Sequence, residues 1–167
     1  MSEHDATPSE SGARQRESSE GAGETALKKT RLDDLDLVEI TQSDTDMEVN
    51  ASFPFSAEFP ASTGIDLEGG HTVVYFELEP GKELGTHEDS PEEIIVCLVG
   101  ERIEAWAGDS NGVIEAGDMV VIPPMAPHGF RNTGDVTARC LGFFSDSTVV
   151  GEFEQEVEPL GTRVVKA

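Results

Sequence analysis

The sequence predicts an all-β fold, a sandwich or a barrel, on three observations. Apolar residues fall in short runs, and Gly, Pro, Asp and Asn punctuate those runs at close spacing. No apolar stripe with a 3.6-residue period reaches helical length. The chain has 167 residues, 37% hydrophobic, with 17 glycines, which is enough for one domain with a real core and favours strands and turns.

Residues 1–30 are Ser, Glu, Gly and Ala with almost no large apolar side chain, so they cannot offset their ordering entropy and are expected to form a disordered tail. Residues 31–64 read as an N-terminal extension packing on the barrel. Within it, Leu35, Leu37, Val38 and Ile40 predict a short edge strand. Phe53, Phe55 and Phe59, punctuated by Pro54 and Pro60, predict an extended segment docking rings onto the core. The barrel is expected over residues 65–152, with strands at 71–79, 93–99, 101–107, 118–122, 128–132 and 137–145. Linkers such as Gly108-Asp109-Ser110-Asn111-Gly112 separate them, and residues 153–167 are left as a C-terminal segment. Val73 to Phe76 and Ile94 to Val99 are apolar at both parities. Such strands are covered on both faces, by the 53–59 segment or by another subunit, so a homodimer is expected.

Charge narrows the partners. Asp and Glu number 34 against 11 Lys and Arg, a net of −23. Met1 to Ala26 carries only −4 of this, so the acidity belongs to the folded part. Nucleic acid and anionic membranes are excluded as partners, because phosphate contacts need Lys and Arg clusters. The only lysines are Lys28, Lys29, Lys82 and Lys166. An acid-coated, lysine-poor surface repels itself until salt screens it, which predicts a halophilic protein. No apolar run approaches a membrane span, and Met1 to Ala26 lacks the apolar stretch of a signal peptide, so a cytoplasmic location is expected. Cys97 and Cys140 lie in apolar runs and read as reduced core thiols, Cys97 sharing the face of Glu93.

Two of the four histidines sit where chemistry can gather. His87 follows the Pro80-Gly81 turn and precedes the acid-rich loop Glu88-Asp89-Ser90-Pro91-Glu92-Glu93, while His128 follows Pro123-Pro124 and Pro127 into a strand. Imidazole and carboxylate on neighbouring antiparallel strands can converge on one cation. Glu93 opens an apolar strand and shares a face with Ile95, Cys97 and Val99. An inward carboxylate there is costly unless paired or metal-bound, which favours Glu93 over Glu92 as a ligand. His71 lies outside this constellation and reads as structural or exposed. Tyr75, Trp106, Met125 and Phe130 are core residues by default, with lining of a substrate cavity as the alternative.

These residues resemble the cupins. The first cupin motif, G-x5-H-x-H-x3-E-x6-G, is met at Gly81, His87, Glu93 and Gly100, with Asp89 at the second histidine. The second, G-x5-P-x-G-x2-H-x3-N, is met at Gly117, Pro123, His128 and Asn132, with Met125 at the second glycine. The resemblance implies a double-stranded β-helix, a jelly-roll barrel, with one divalent metal ion near its mouth. By motif position the metal ligands are His87, Glu93 and His128. Asp89 is either a fourth ligand or a proton acceptor. A site of two imidazoles and carboxylates favours Fe²⁺ or Mn²⁺, with Zn²⁺ or Ni²⁺ as alternatives. The implied function is a metal-dependent enzyme acting on a small-molecule substrate, of dioxygenase type. The alternatives are an isomerase or decarboxylase, and a non-catalytic ligand- or metal-binding barrel.

Overall fold

A computed structural model describes residues 27–167. The expected tail therefore lies, as far as residue 26, outside the described residues. A 3₁₀ turn at Leu32–Asp34 precedes β1 (Val38–Thr41), β2 (Glu48–Ser52), β3 (Thr72–Leu78), β4 (Glu83–Asp89), β5 (Glu93–Val99) and β6 (Ile103–Ala107). Then follow β7 (Ser110–Ile114), β8 (Met119–Ile122), β9 (His128–Asn132), β10 (Ala138–Phe144), β11 (Val150–Val157) and β12 (Thr162–Lys166). There is no α-helix among the described residues, so none is long and apolar enough to cross a membrane.

The strands form two antiparallel sheets, β1-β2-β3-β10-β5-β8 and β12-β11-β4-β9-β6-β7. They close face to face over one core, the jelly roll that the resemblance implied. Alternation decides which side chains enter it. On β5, Glu93, Ile95 and Cys97 are buried while Ile94 and Leu98 are exposed. Asn132 ties β9 to the neighbouring turn, its Nδ2 donating to the Leu78 and Val136 carbonyls and its Oδ1 accepting from Gly134 N–H.

Strands β3, β5, β6, β8, β9 and β10 occupy the six expected runs, and β1 overlaps the first expected stretch at Val38 and Ile40. The expected acid-rich loop beginning at Glu88 is corrected. Glu88 and Asp89 belong to β4, which pairs with both β9 and β11. The expected linker at 108–112 is also corrected. Ala107 pairs with Ser110 in a two-residue hairpin whose Gly108 has φ +55°. On β11, Glu152, Glu154 and Glu156 face solvent while Gly151, Phe153 and Val157 are buried. Phe53 and Phe59 are buried with centroids 4.8 Å apart, and Phe53 stacks on Phe144 at 6.2 Å. That segment enters the end of the barrel and leaves the outer face bare. There Phe143, Ile94 and Val121 lie in register across β10, β5 and β8 and remain exposed.

Candidate metal centre

The two sheets bring their chemistry together at one end of the barrel. His87 and His128 are directly paired across β4 and β9, with ring centroids 4.2 Å apart. Asp89 stands two residues beyond His87 on the same inward face of β4. Glu93, the first residue of β5, approaches from the opposite sheet. The His87 ring is held from behind by Phe153 of β11, stacked at 4.7 Å and 11°.

Each imidazole is oriented by its own backbone. Nδ1 of His87 lies 2.8 Å from the Gly85 carbonyl oxygen, and Nδ1 of His128 lies 2.9 Å from that of Ala126. A carbonyl can only accept, so Nδ1 carries the proton and Nε2 of a neutral ring presents a free lone pair. Asp89 Oδ2 lies 3.5 Å from His87 Nε2 and 3.4 Å from His128 Nε2. Donors each about 2.0–2.2 Å from one ion lie roughly 3.0–3.5 Å apart, so this spacing fits a shared divalent cation. His128 Nε2 is buried and has no hydrogen-bond partner, an orphan that a cation would satisfy. His87, Asp89 and His128 thus form one compact buried group. Glu93 borders it, its Oε2 3.7 Å from His128 Nε2.

Electrostatics separates the two carboxylates. Burial would raise the Asp89 pKa, but contacts with His128 and His87 hold it below the ordinary carboxylate range. Burial dominates at Glu93 and pushes its carboxyl up, and the neighbouring Asp89 charge pushes the same way. For His128, burial alone would lower the pKa, yet Asp89 and Glu93 outweigh it and raise it to about 9. The metal-free group therefore holds a proton on His128 at neutral pH.

Two glycines that the sequence reading passed over make room for these carboxylates. A Cβ on Gly151 of β11 would stand 2.8 Å from Asp89 Oδ1, and one on Gly142 of β10 would stand 2.2 Å from Glu93 Oε1. Glycine inside a strand is itself a signal of close approach, and it was available in the sequence.

A cavity of about 60 Å³ opens from the group into the barrel, and His87, Asp89 and Glu93 face it. Tyr75, Trp106, Met125, Phe130 and Cys97 do not line it. Tyr75 is fully buried away from the cavity, its hydroxyl donating to Glu77 and accepting a hydrogen bond from Arg139. Trp106 donates Nε1–H to Thr86 Oγ1 at 3.0 Å, and Phe130 and Cys97 are core. His71 is exposed.

Residues 74–144 match the family model described as Cupin domain. No curated protein matches the sequence significantly. Among solved structures, a cupin 2 conserved barrel domain protein from Rhodopseudomonas palustris is 20% identical, with a TM-score of 0.55 over 68% of this chain and 72% of that one. One from Salinispora arenicola is 21% identical, at 0.54 over 73% and 91%. The polyketide cyclase RemF from Streptomyces resistomycificus is 20% identical, at 0.53 over 71% and 79%. At these identities the likeness is one of fold.

Proposed function

Because the chain is a member of the cupin superfamily, with the jelly-roll barrel and the motif histidines paired inside it, we propose that it is a mononuclear divalent-metal enzyme of dioxygenase type acting on a small organic molecule. One observation carries this. Two imidazoles with carbonyl-fixed Nδ1 protons turn their Nε2 atoms and the Asp89 carboxylate toward one buried point beside a cavity. Two histidines and one carboxylate are the ligand set of non-haem Fe²⁺ oxygenases, which leaves coordination positions open. A bound Fe²⁺ or Mn²⁺ would supply redox chemistry at those positions.

The chain's own residues would do the rest. His87, Asp89 and His128 would hold the ion, and Phe153 fixes the plane of His87. Glu93, its carboxyl pushed up by burial, would take or release a proton beside His128. The apolar walls would exclude water. Oxygen-electrode measurements on Fe²⁺-loaded protein, screened with catechols, flavonols and thiols, test this. Uptake that is lost in His128→Ala supports the reading, and no uptake with any of them counts against it.

The protonatable Glu93 also favours a second reading, non-redox proton transfer in an isomerase, decarboxylase or cyclase, and the fold neighbour RemF is a polyketide cyclase. Turnover with Zn²⁺ in the absence of oxygen would select it. We further propose a homodimer, with the exposed Phe143–Ile94–Val121 row covered by a second copy, in a salt-rich cytoplasm that screens its acid coat.

A further inference from the structure

We infer that the substrate pocket takes a short molecule with one oxygen-donor head and an apolar body that makes no polar contact. The inference rests on the metal reading above, which it deepens by naming the ligand class. Of the side chains lining the cavity, only His87, Asp89 and Glu93 are polar, and all three belong to the metal centre. The other lining side chains are all apolar, and Gly151 has none. A hydroxyl placed on that body would enter the wall region unpartnered.

The size follows from the volume. A liquid water occupies about 30 Å³, and a dry 150 Å³ cavity accommodates a benzene ring. A cavity of about 60 Å³ therefore takes a body of roughly two or three heavy atoms without side-chain movement. Four phenylalanines line the cavity, Phe53, Phe76, Phe144 and Phe153, the last also stacking on His87.

The placement of the walls assigns their role. The stretch matched by the family model, residues 74–144, contains His87, Asp89, Glu93 and His128. Much of the wall comes from outside it: Val49, Ala51 and Phe53 before, and Val149, Phe153 and Val165 after. The motif region holds the metal centre, while the flanking strands and the 53–59 segment determine which body fits beside it. Apart from Phe153, which also holds the His87 ring, these flanking residues are specificity-determining, and changing them leaves the metal centre in place.

The test uses Zn²⁺-loaded full-length protein and two isosteric probes, butanohydroxamate and 3-hydroxypropanohydroxamate, with binding measured by calorimetry and zinc content by elemental analysis. The expected result is about ten- to hundredfold tighter binding of butanohydroxamate, the discrimination typical of an apolar pocket against an added hydroxyl. Octanohydroxamate, too long for the cavity, should bind more weakly than butanohydroxamate. Ala51→Leu should weaken butanohydroxamate at least tenfold at unchanged zinc content. Phe53→Leu, which removes ring volume and carries the test if Ala51→Leu does not fold, should raise the relative affinity for hexanohydroxamate. Equal binding of the two isosteres to zinc-loaded protein, or indifference of the folded wall variants, would overturn this inference alone. A protein that takes up no zinc overturns the metal reading and this inference with it.

Discussion

Gly151 of β11 stands so close to Asp89 of β4 that a Cβ on it would lie 2.8 Å from the carboxylate oxygen Oδ1. The two residues are directly paired across the strands, so the shorter acid at the second motif histidine and the glycine opposite it form one spatial unit. Gly151→Ala should push the Asp89 carboxylate away from the two imidazoles. Metal affinity is expected to fall about tenfold or more, the range seen when a ligand's support is altered. Competition with a chromogenic chelator reads the change. Unaltered affinity in a folded variant would mean that Asp89 does not hold the ion.

Gly142→Ala separates the second carboxylate from the first. The added Cβ would collide with Glu93 Oε1 and with Val74 Cγ1 at 2.6 Å, so some loss of thermal stability is expected. Because Glu93 borders the compact group, metal content should survive while turnover falls. Loss of metal equal to that in His128→Ala would instead make Glu93 a principal ligand.

The proton on His128 gives the site a pH signature. Its folded pKa, about 9, lies above the ordinary value of 6.5. The metal-free protein gains that stabilisation fully below pH 6.5 and loses it as pH rises through about 9. An incoming ion must displace this proton, so apparent affinity should rise about tenfold per pH unit from neutrality and level off near pH 9. Titrations across that window check it, and a flat profile would contradict the proton's presence.

The fold was legible wherever apolar runs were long enough to dominate their neighbours, as in β3, β5 and β10. It was not legible where acids covered one face. In β11 the solvent-facing Glu152, Glu154 and Glu156 mask a strand whose inward side is Gly151, Phe153 and Val157. In β4, Glu88 and Asp89 looked like loop because both are acids, although only Asp89 faces the core. The site was legible through its motif spacing, which named His87, Asp89, Glu93 and His128. How tightly each carboxylate joins the imidazoles depends on the meeting of two sheets, and that is a long-range property. The cavity walls were not legible either, because they gather from strands far apart in sequence.

Asn132 offers a stability test remote from chemistry. It is fully buried, and Asn132→Ala would strand the Leu78 and Val136 carbonyls and the Gly134 N–H. A loss of about 3 kcal/mol is expected from denaturant unfolding. A loss below about 1 kcal/mol would mean that water replaces the amide.

The acid coat makes stability depend on salt. With a net charge of −23, the melting temperature should rise by several degrees from low salt to molar KCl, as repulsion among exposed acids is screened. A constant or falling melting temperature would contradict the halophilic reading.

His87, Asp89 and His128 are proposed to hold a metal ion. An anomalous-difference map, recorded at the metal's absorption edge from crystals of protein purified without chelator, tests it most directly. A single strong peak is expected about 2.0–2.3 Å from His87 Nε2, His128 Nε2 and the Asp89 carboxylate. An absent peak, or one held by other residues, would contradict it.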